Sequence, residues 1–143
     1  MSRTQWIVPG LIGVMLAAAS GCVVAIGNEA TDYSSGKVAL TPTERASVPT
    51  VQCKSELPTI RDKYSTQLAK LGPTTTVDEF KALFPEASFV ERRGEPPVDA
   101  YSLELQQKYR YANKSYGYIA RDEAWFYFRN NVFVKWGSPH DFP

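Results

Sequence analysis

The sequence predicts an α+β fold, with two N-terminal helices packed on a three- to four-stranded antiparallel meander behind a signal peptide and a flexible tether. Three observations carry this expectation. An uncharged stretch from Trp6 runs into Cys22. Apolar residues then recur at helical spacing between Pro58 and Phe84. From Ser88 the period falls to two and aromatic residues concentrate. The organisation that follows is a signal peptide over 1–21, an N-terminal segment and flexible tether over 22–54, and a small domain over 55–143.

Arg3 is the only charge before Cys22. Trp6 to Ala19 is uncharged for 14 residues, broken by Pro9-Gly10, and Ser20-Gly21 then supplies small residues. That basic, apolar, small-residue order is the layout of a secretory signal. The run is too short to cross ~30 Å of hydrocarbon as a helix. A rival reading stays open, because Val23-Val24-Ala25-Ile26 resumes the apolar character. Trp6–Gly27 is then 22 residues without a charge, enough to remain as a transmembrane anchor.

Ala19-Ser20-Gly21-Cys22, preceded by Leu16, resembles the lipobox of bacterial lipoproteins. The resemblance implies that a diacylglycerol is joined to the Cys22 sulfur, that the signal is cut before it, and that the new amine is acylated. Valine rather than aspartate at position 23 implies the outer membrane, facing the periplasm. With Cys22 consumed by lipid, Cys53 is expected to lack a partner within the chain.

Sixteen basic residues face 15 acidic ones, and removing Arg3 leaves 15 of each sign from Cys22 onward. A nucleic-acid partner is not expected from a neutral chain. Asn28–Thr50, "NEATDYSSGKVALTPTERASVPT", is rich in Ser, Thr, Ala and Pro without a sustained period and is read as the tether. As a random coil it would reach about 25–30 Å.

In "SELPTIRDKYSTQLAKLG", Ile60, Tyr64, Leu68 and Leu71 share one helical face, with Pro58 at the start and Gly72 as the stop. A second helix opens at Thr76, where Glu79 three residues on completes a capping box, and Pro85 closes it. "SFVERR", "VDAYSLELQQKYRY" and "YGYIARDEAWFYF" read as strands, the last with a bulge near Gly117 or Arg121-Asp122. Asn130-Asn131 then predicts a two-residue hairpin turn, because asparagine tolerates positive φ. In that register Trp125, Tyr127 and Trp136 share one face, opposite Phe126 and Phe128. Tryptophan and tyrosine can leave a donor in water, so Trp125, Tyr127 and Trp136 form the candidate binding face. The plainer alternative is that the chain's own C-terminal tail or the Tyr101–Tyr118 segment covers that face.

Catalytic and metal signals are sparse. His140 is the one histidine, the two cysteines lie 31 residues apart, and no Gly-rich phosphate loop occurs. No cofactor, metal or catalytic residue is assigned. "KYRYANKSYGY" interleaves aromatics with bases, a pattern that can stack on sugars or nucleobases, and strand-edge packing is the blander explanation. Two helices followed by a meander on a lipidated chain resembles the SmpA/OmlA-type (BamE-like) small lipoprotein domain. The residues that carry the likeness are Thr76-Val77-Asp78-Glu79-Phe80, "WFYF" at Trp125–Phe128, and "VFVKWG". The expected function is a non-enzymatic, lipid-anchored envelope lipoprotein that contacts another envelope protein. The alternatives are a glycan or small-ligand module using the Trp/Tyr face and, more remotely, a hydrolase.

Overall fold

The structure, a computed structural model, describes residues 36–141; the expected signal peptide and Cys22 lie outside the described residues. In chain order it contains β1 (Lys37–Ala39), α1 (Pro42–Ser47), β2 (Thr50–Val51), a 3-10 turn (Lys54–Glu56), α2 (Ile60–Lys63) and α3 (Ser65–Leu68). Then follow α4 (Val77–Leu83), β3 (Ser88–Arg93), β4 (Val98–Tyr111), β5 (Tyr116–Arg129) and β6 (Val132–Gly137).

The two 14-residue strands β4 and β5 pair antiparallel from Val98↔Arg129 to Tyr109↔Tyr118 without a register shift. At ~3.4 Å per residue this hairpin is about 45 Å long. Its two ends are flanked separately. β3 lies outside β4 and β6 outside β5 at the open end. At the closed end β1 pairs with β5 around Gly117, and β2 pairs parallel with β4 at Arg110 and Tyr111.

The expected fold is therefore corrected: strands dominate, the sheet has six strands, and it is mixed rather than an antiparallel meander. The segment read as a tether supplies β1, α1 and β2. Strands of three and two residues are too short to show a period, and they form because long neighbours offer unpaired backbone to them. Leu40 is 5% exposed and seats on Gly117, where an added Cβ would lie 3.0 Å from Leu40 Cδ2 and 3.1 Å from the Tyr109 carbonyl oxygen. The single helix expected over Pro58–Leu71 is also broken. Tyr64 closes α2 with ψ of 19° and opens α3.

Three helices begin with the same device. Thr41, Thr59 and Thr76 each accept a backbone N–H from the third residue on, and Glu44, Asp62 and Glu79 reach back to the cap. The first of these, Thr41-Pro42-Thr43-Glu44, lies inside the presumed tether. α2 is also fixed to the sheet from its first turn, where the Ile60 N–H donates to Asp122 Oδ2 at 2.6 Å.

On one face of the hairpin, Tyr101, Leu103, Leu105, Ala124, Phe126 and Phe128 pack against Ile60, Tyr64, Val77, Phe80 and Phe84. Phe80 is fully buried, with ring centroids 4.9 Å from Phe126 and 5.0 Å from Phe128. Tyr64 packs on Phe84 and donates its hydroxyl to Glu86 at 2.5 Å. A second cluster of Val51, Leu57, Tyr109 and Ala120 continues the same face toward the closed end.

Phe80→Ala is expected to lower the unfolding free energy by about 3–5 kcal/mol in denaturant titrations, whereas Phe89→Ala, at a 55% exposed site, should change it by less than about 1 kcal/mol. Comparable losses for both would contradict this core. The Glu44 carboxyl, held by the Thr41 backbone N–H and by Lys108, sits at about 2 against an ordinary 4.5. A lowered folded-state value stabilises the protein above pH 4.5 and is lost as pH falls toward 2. The stability difference between wild type and Glu44→Gln should therefore shrink over that acid window and stay constant above pH 5.

Candidate functional site

The Asn130-Asn131 turn forms with both residues at positive φ, 51° and 64°, and Arg129↔Val132 and Phe128↔Phe133 pair across it. The next pair is Tyr127↔Lys135, so Val134 is an extra residue bulged out of β6. The slip moves every later residue of β6 by one place. Trp136 stands opposite Phe126 rather than Trp125, stacked on Phe126 at 6.0 Å and half-buried, with the Arg61 guanidinium 5.3 Å from its ring. The bulge thus lets Phe133 and Trp136, three residues apart, both face the helices.

Trp125 and Tyr127 lie on the other face with Val98 and Ala100, 6% and 3% exposed. The C-terminal tail covers them. The His140 ring sits 4.6 Å from the Trp125 ring, and the Tyr127 hydroxyl donates to the Ser138 carbonyl oxygen at 3.2 Å. The tail is pinned by Asp141, whose carboxylate accepts the Ser138 N–H at 2.9 Å and whose carbonyl oxygen accepts from Lys135 Nζ at 2.6 Å. The structure does not bring the three predicted residues together. The covered face was legible as an alternative, but the bulge was not, because no turn or glycine marks Val134. The bulge expected in β5 is absent; the two that occur fall at Val90 and Val134, on the outer strands.

A different aromatic group is assembled at the closed end. Tyr109 and Tyr118 stack at 5.6 Å, Tyr111 meets Tyr118 edge-on at 5.2 Å, and Tyr116 meets Tyr118 at 5.5 Å. All four lie on the helix side of the hairpin, where Val51 and Leu57 form the last of the apolar cover. Tyr111, Tyr116 and Tyr118 are half-buried. The Lys37 ammonium stands 5.3 Å from the Tyr116 ring centroid. A hydrogen bond shared with Tyr118, aided by Lys37, lowers the Tyr116 phenol, and the same bond raises the Tyr118 phenol. The motif "KYRYANKSYGY" signals this cluster in sequence; Lys37 carries no such signal, because it lies in a three-residue strand too short to show a period.

Elsewhere the chemistry is modest. Among the described residues no group of three His, Cys, Asp or Glu side chains could hold a metal. The Asp141 carboxylate is engaged by the tail, which leaves His140-Asp141 without the geometry of a catalytic pair. A shallow groove of about 470 Å³ between α3 and α4 is lined by Lys70, Thr74, Thr75, Glu79, Ala82 and Leu83. Its two best polar groups serve the fold, since Thr75 Oγ1 accepts the Gly72 N–H and Glu79 caps α4. The large exposed apolar side chains are Phe89, Val90 and Val134. Phe89 and Val90 stand on β3, which among the described residues pairs only with β4.

Cys22 lies outside the described residues. Cys53 is disulfide-bonded, and no described cysteine is free, which corrects the expectation that it lacks a partner. The chain has two cysteines, so an intrachain bond at Cys53 and a lipid thioether at Cys22 draw on the same sulfur.

A scan of protein-family profiles and searches of curated proteins and of solved structures find no match to this chain. The two resemblances rest on the residues quoted for them.

Truncation after Gly137, made in a Trp6→Phe/Trp136→Phe background, should uncover Trp125. Its emission is expected to shift to the red and to become more accessible to acrylamide. Unchanged quenching would show that something other than the tail buries this face.

Proposed function

We propose that the protein is a non-enzymatic lipoprotein of a bacterial envelope, acylated on Cys22, held at the outer membrane facing the periplasm, and acting by contact with another envelope protein. The observation that carries this reading is the run Ala19-Ser20-Gly21 directly ahead of Cys22. Small residues admit a peptidase closely to the backbone, and the thiolate is the nucleophile that takes the lipid. Among the described residues no helix is long and apolar enough to cross a membrane, in keeping with an anchor outside residues 36–141. Acyl chains contribute about 0.8 kcal/mol per buried methylene, so more than one chain gives a firm hold.

Support for a protein contact comes from β3. Among the described residues no strand pairs with its outer edge, and the edge displays Phe89 at 55% and Val90 at 38% exposure. An unpaired edge with adjacent apolar side chains suits addition of an extended segment of a partner. Arg92 and Arg93 there are neutralised by Asp99 and Glu91. The reading assigns the Cys22 sulfur to lipid, so acylation of Cys22 and a bond between Cys22 and Cys53 exclude each other. Burial of Trp125 and Tyr127 under the tail removes the support for a ligand site on those residues.

Cys22→Ser should abolish incorporation of a labelled fatty acid and leave the precursor uncleaved, with a corresponding intact mass. An unacylated chain whose two cysteines are joined to each other would contradict the anchor. A photocrosslinking residue at Phe89 should give a discrete adduct in membranes, and the same residue at Lys70 none. Equal adducts at both positions would remove β3 as the docking edge.

A further inference from the structure

The closed end of the β4–β5 hairpin carries a second surface that the docking edge does not use. Between Glu104 and Asp122 the chain contains Lys108, Arg110, Lys114 and Arg121 and no acidic residue. Lys108 is paired with Glu44 at 3.0 Å, and Arg121 with Glu104 at 3.7 Å. β1 adds Lys37 beside the tyrosines. Lys37 and Lys114 are exposed and have no acidic partner among the described residues. A chain with 15 charges of each sign from Cys22 onward thus places two exposed cations, Lys37 and Lys114, at the end that carries Tyr111, Tyr116 and Tyr118.

We infer that this end is a binding site for an extended glycan bearing carboxylates, such as the amino-sugar polymer of a cell wall, seated on Tyr111, Tyr116 and Tyr118 with Lys37 and Lys114 meeting its acidic groups. The Tyr116 and Tyr118 rings pack edge to face 5.5 Å apart and stay half-buried, so they form a continuous aromatic patch rather than a closed pocket. Tyrosine offers an apolar ring and a hydroxyl together, which matches the apolar and hydroxyl-bearing surfaces of a sugar. Exposed cations give such a platform its preference for an anionic chain.

A bilayer surface fits less well. The apex residues Ala112-Asn113-Lys114-Ser115 present no large apolar side chain to insert, and the tyrosines lie along the side of the hairpin. The ligand's compartment rests on the envelope reading above. Cys22 is joined to Gly36 by 13 intervening residues, which at ~3.3–3.6 Å each place this end within about 50 Å of the anchor.

The test is titration of the purified full-length chain, in detergent, with soluble fragments released from cell walls by a glycan-cleaving enzyme. Binding is read by calorimetry and by acylation footprinting of lysines. Saturable binding is expected, with Lys37 and Lys114 protected and Lys70 and Lys81 unaffected. The Tyr111→Ala/Tyr116→Ala double variant should bind on the order of tenfold more weakly, and Lys114→Glu up to about fivefold more weakly. Tyr111→Phe keeps the ring and should bind like wild type, and thermal unfolding confirms that each variant folds. A neutral chitin oligomer should bind more weakly than the acidic fragments. Absence of saturable binding, variants that bind like wild type, or protection of Lys37 and Lys114 by phospholipid vesicles and not by glycan would each overturn the proposal. Acylation is read separately by intact mass, so a chain without lipid that still binds glycan overturns the anchor and leaves this site standing.

Discussion

The length of one hairpin governs this structure. Two strands of 14 residues run about 45 Å, and a helix layer of short segments covers only part of one face. The remainder of the hairpin must find other cover or remain wet, because its backbone edges and aromatic faces are costly to bury unpaired. The open end is closed by β3, β6 and a C-terminal tail; the closed end is clasped by β1 and β2. Each accessory element touches only the stretch of hairpin within its reach. The sheet is therefore mixed and divided between its two ends.

Local chemistry then fixes the details. Three Thr-initiated capping boxes start helices that are too short to be stable by themselves. Asn130 and Asn131 supply the positive φ that a tight turn needs. The two bulges expel Val90 and Val134 into solvent, and in exchange one bulge brings Trp136 over Phe126. Thus one unpaired residue decides which tryptophan joins the core and which lies beneath the tail.

The long strands β4 and β5, the turn between β5 and β6, and the Thr76 helix start were legible because their signals are strong and local: alternation over many residues, two asparagines together, threonine and glutamate at fixed spacing. β1 and β2 were not, since two or three residues carry no period and their pairing is decided by distant strands. The capping box at Thr41 was present in the sequence, but Ser- and Pro-rich composition around it masked its meaning. The site residues divide in the same way. The tyrosine motif was visible as a motif, while its cation came from a strand that pattern alone does not reveal. The face assigned to Trp125, Tyr127 and Trp136 assumed an unbroken register, and a one-residue slip reverses sidedness.

The functional account follows from that architecture. β3 leaves an apolar-bearing edge at one end, and the tyrosine platform with its cations occupies the other, on the end where the chain leaves toward Cys22. The tyrosine surface depends on residues 37–51 forming part of the sheet. Amide hydrogen exchange across those residues in the native protein tests this most directly. Slowed exchange is expected there, in company with Tyr116–Tyr118. Exchange at random-coil rates through 37–51, with the β4–β5 core still protected, would contradict it.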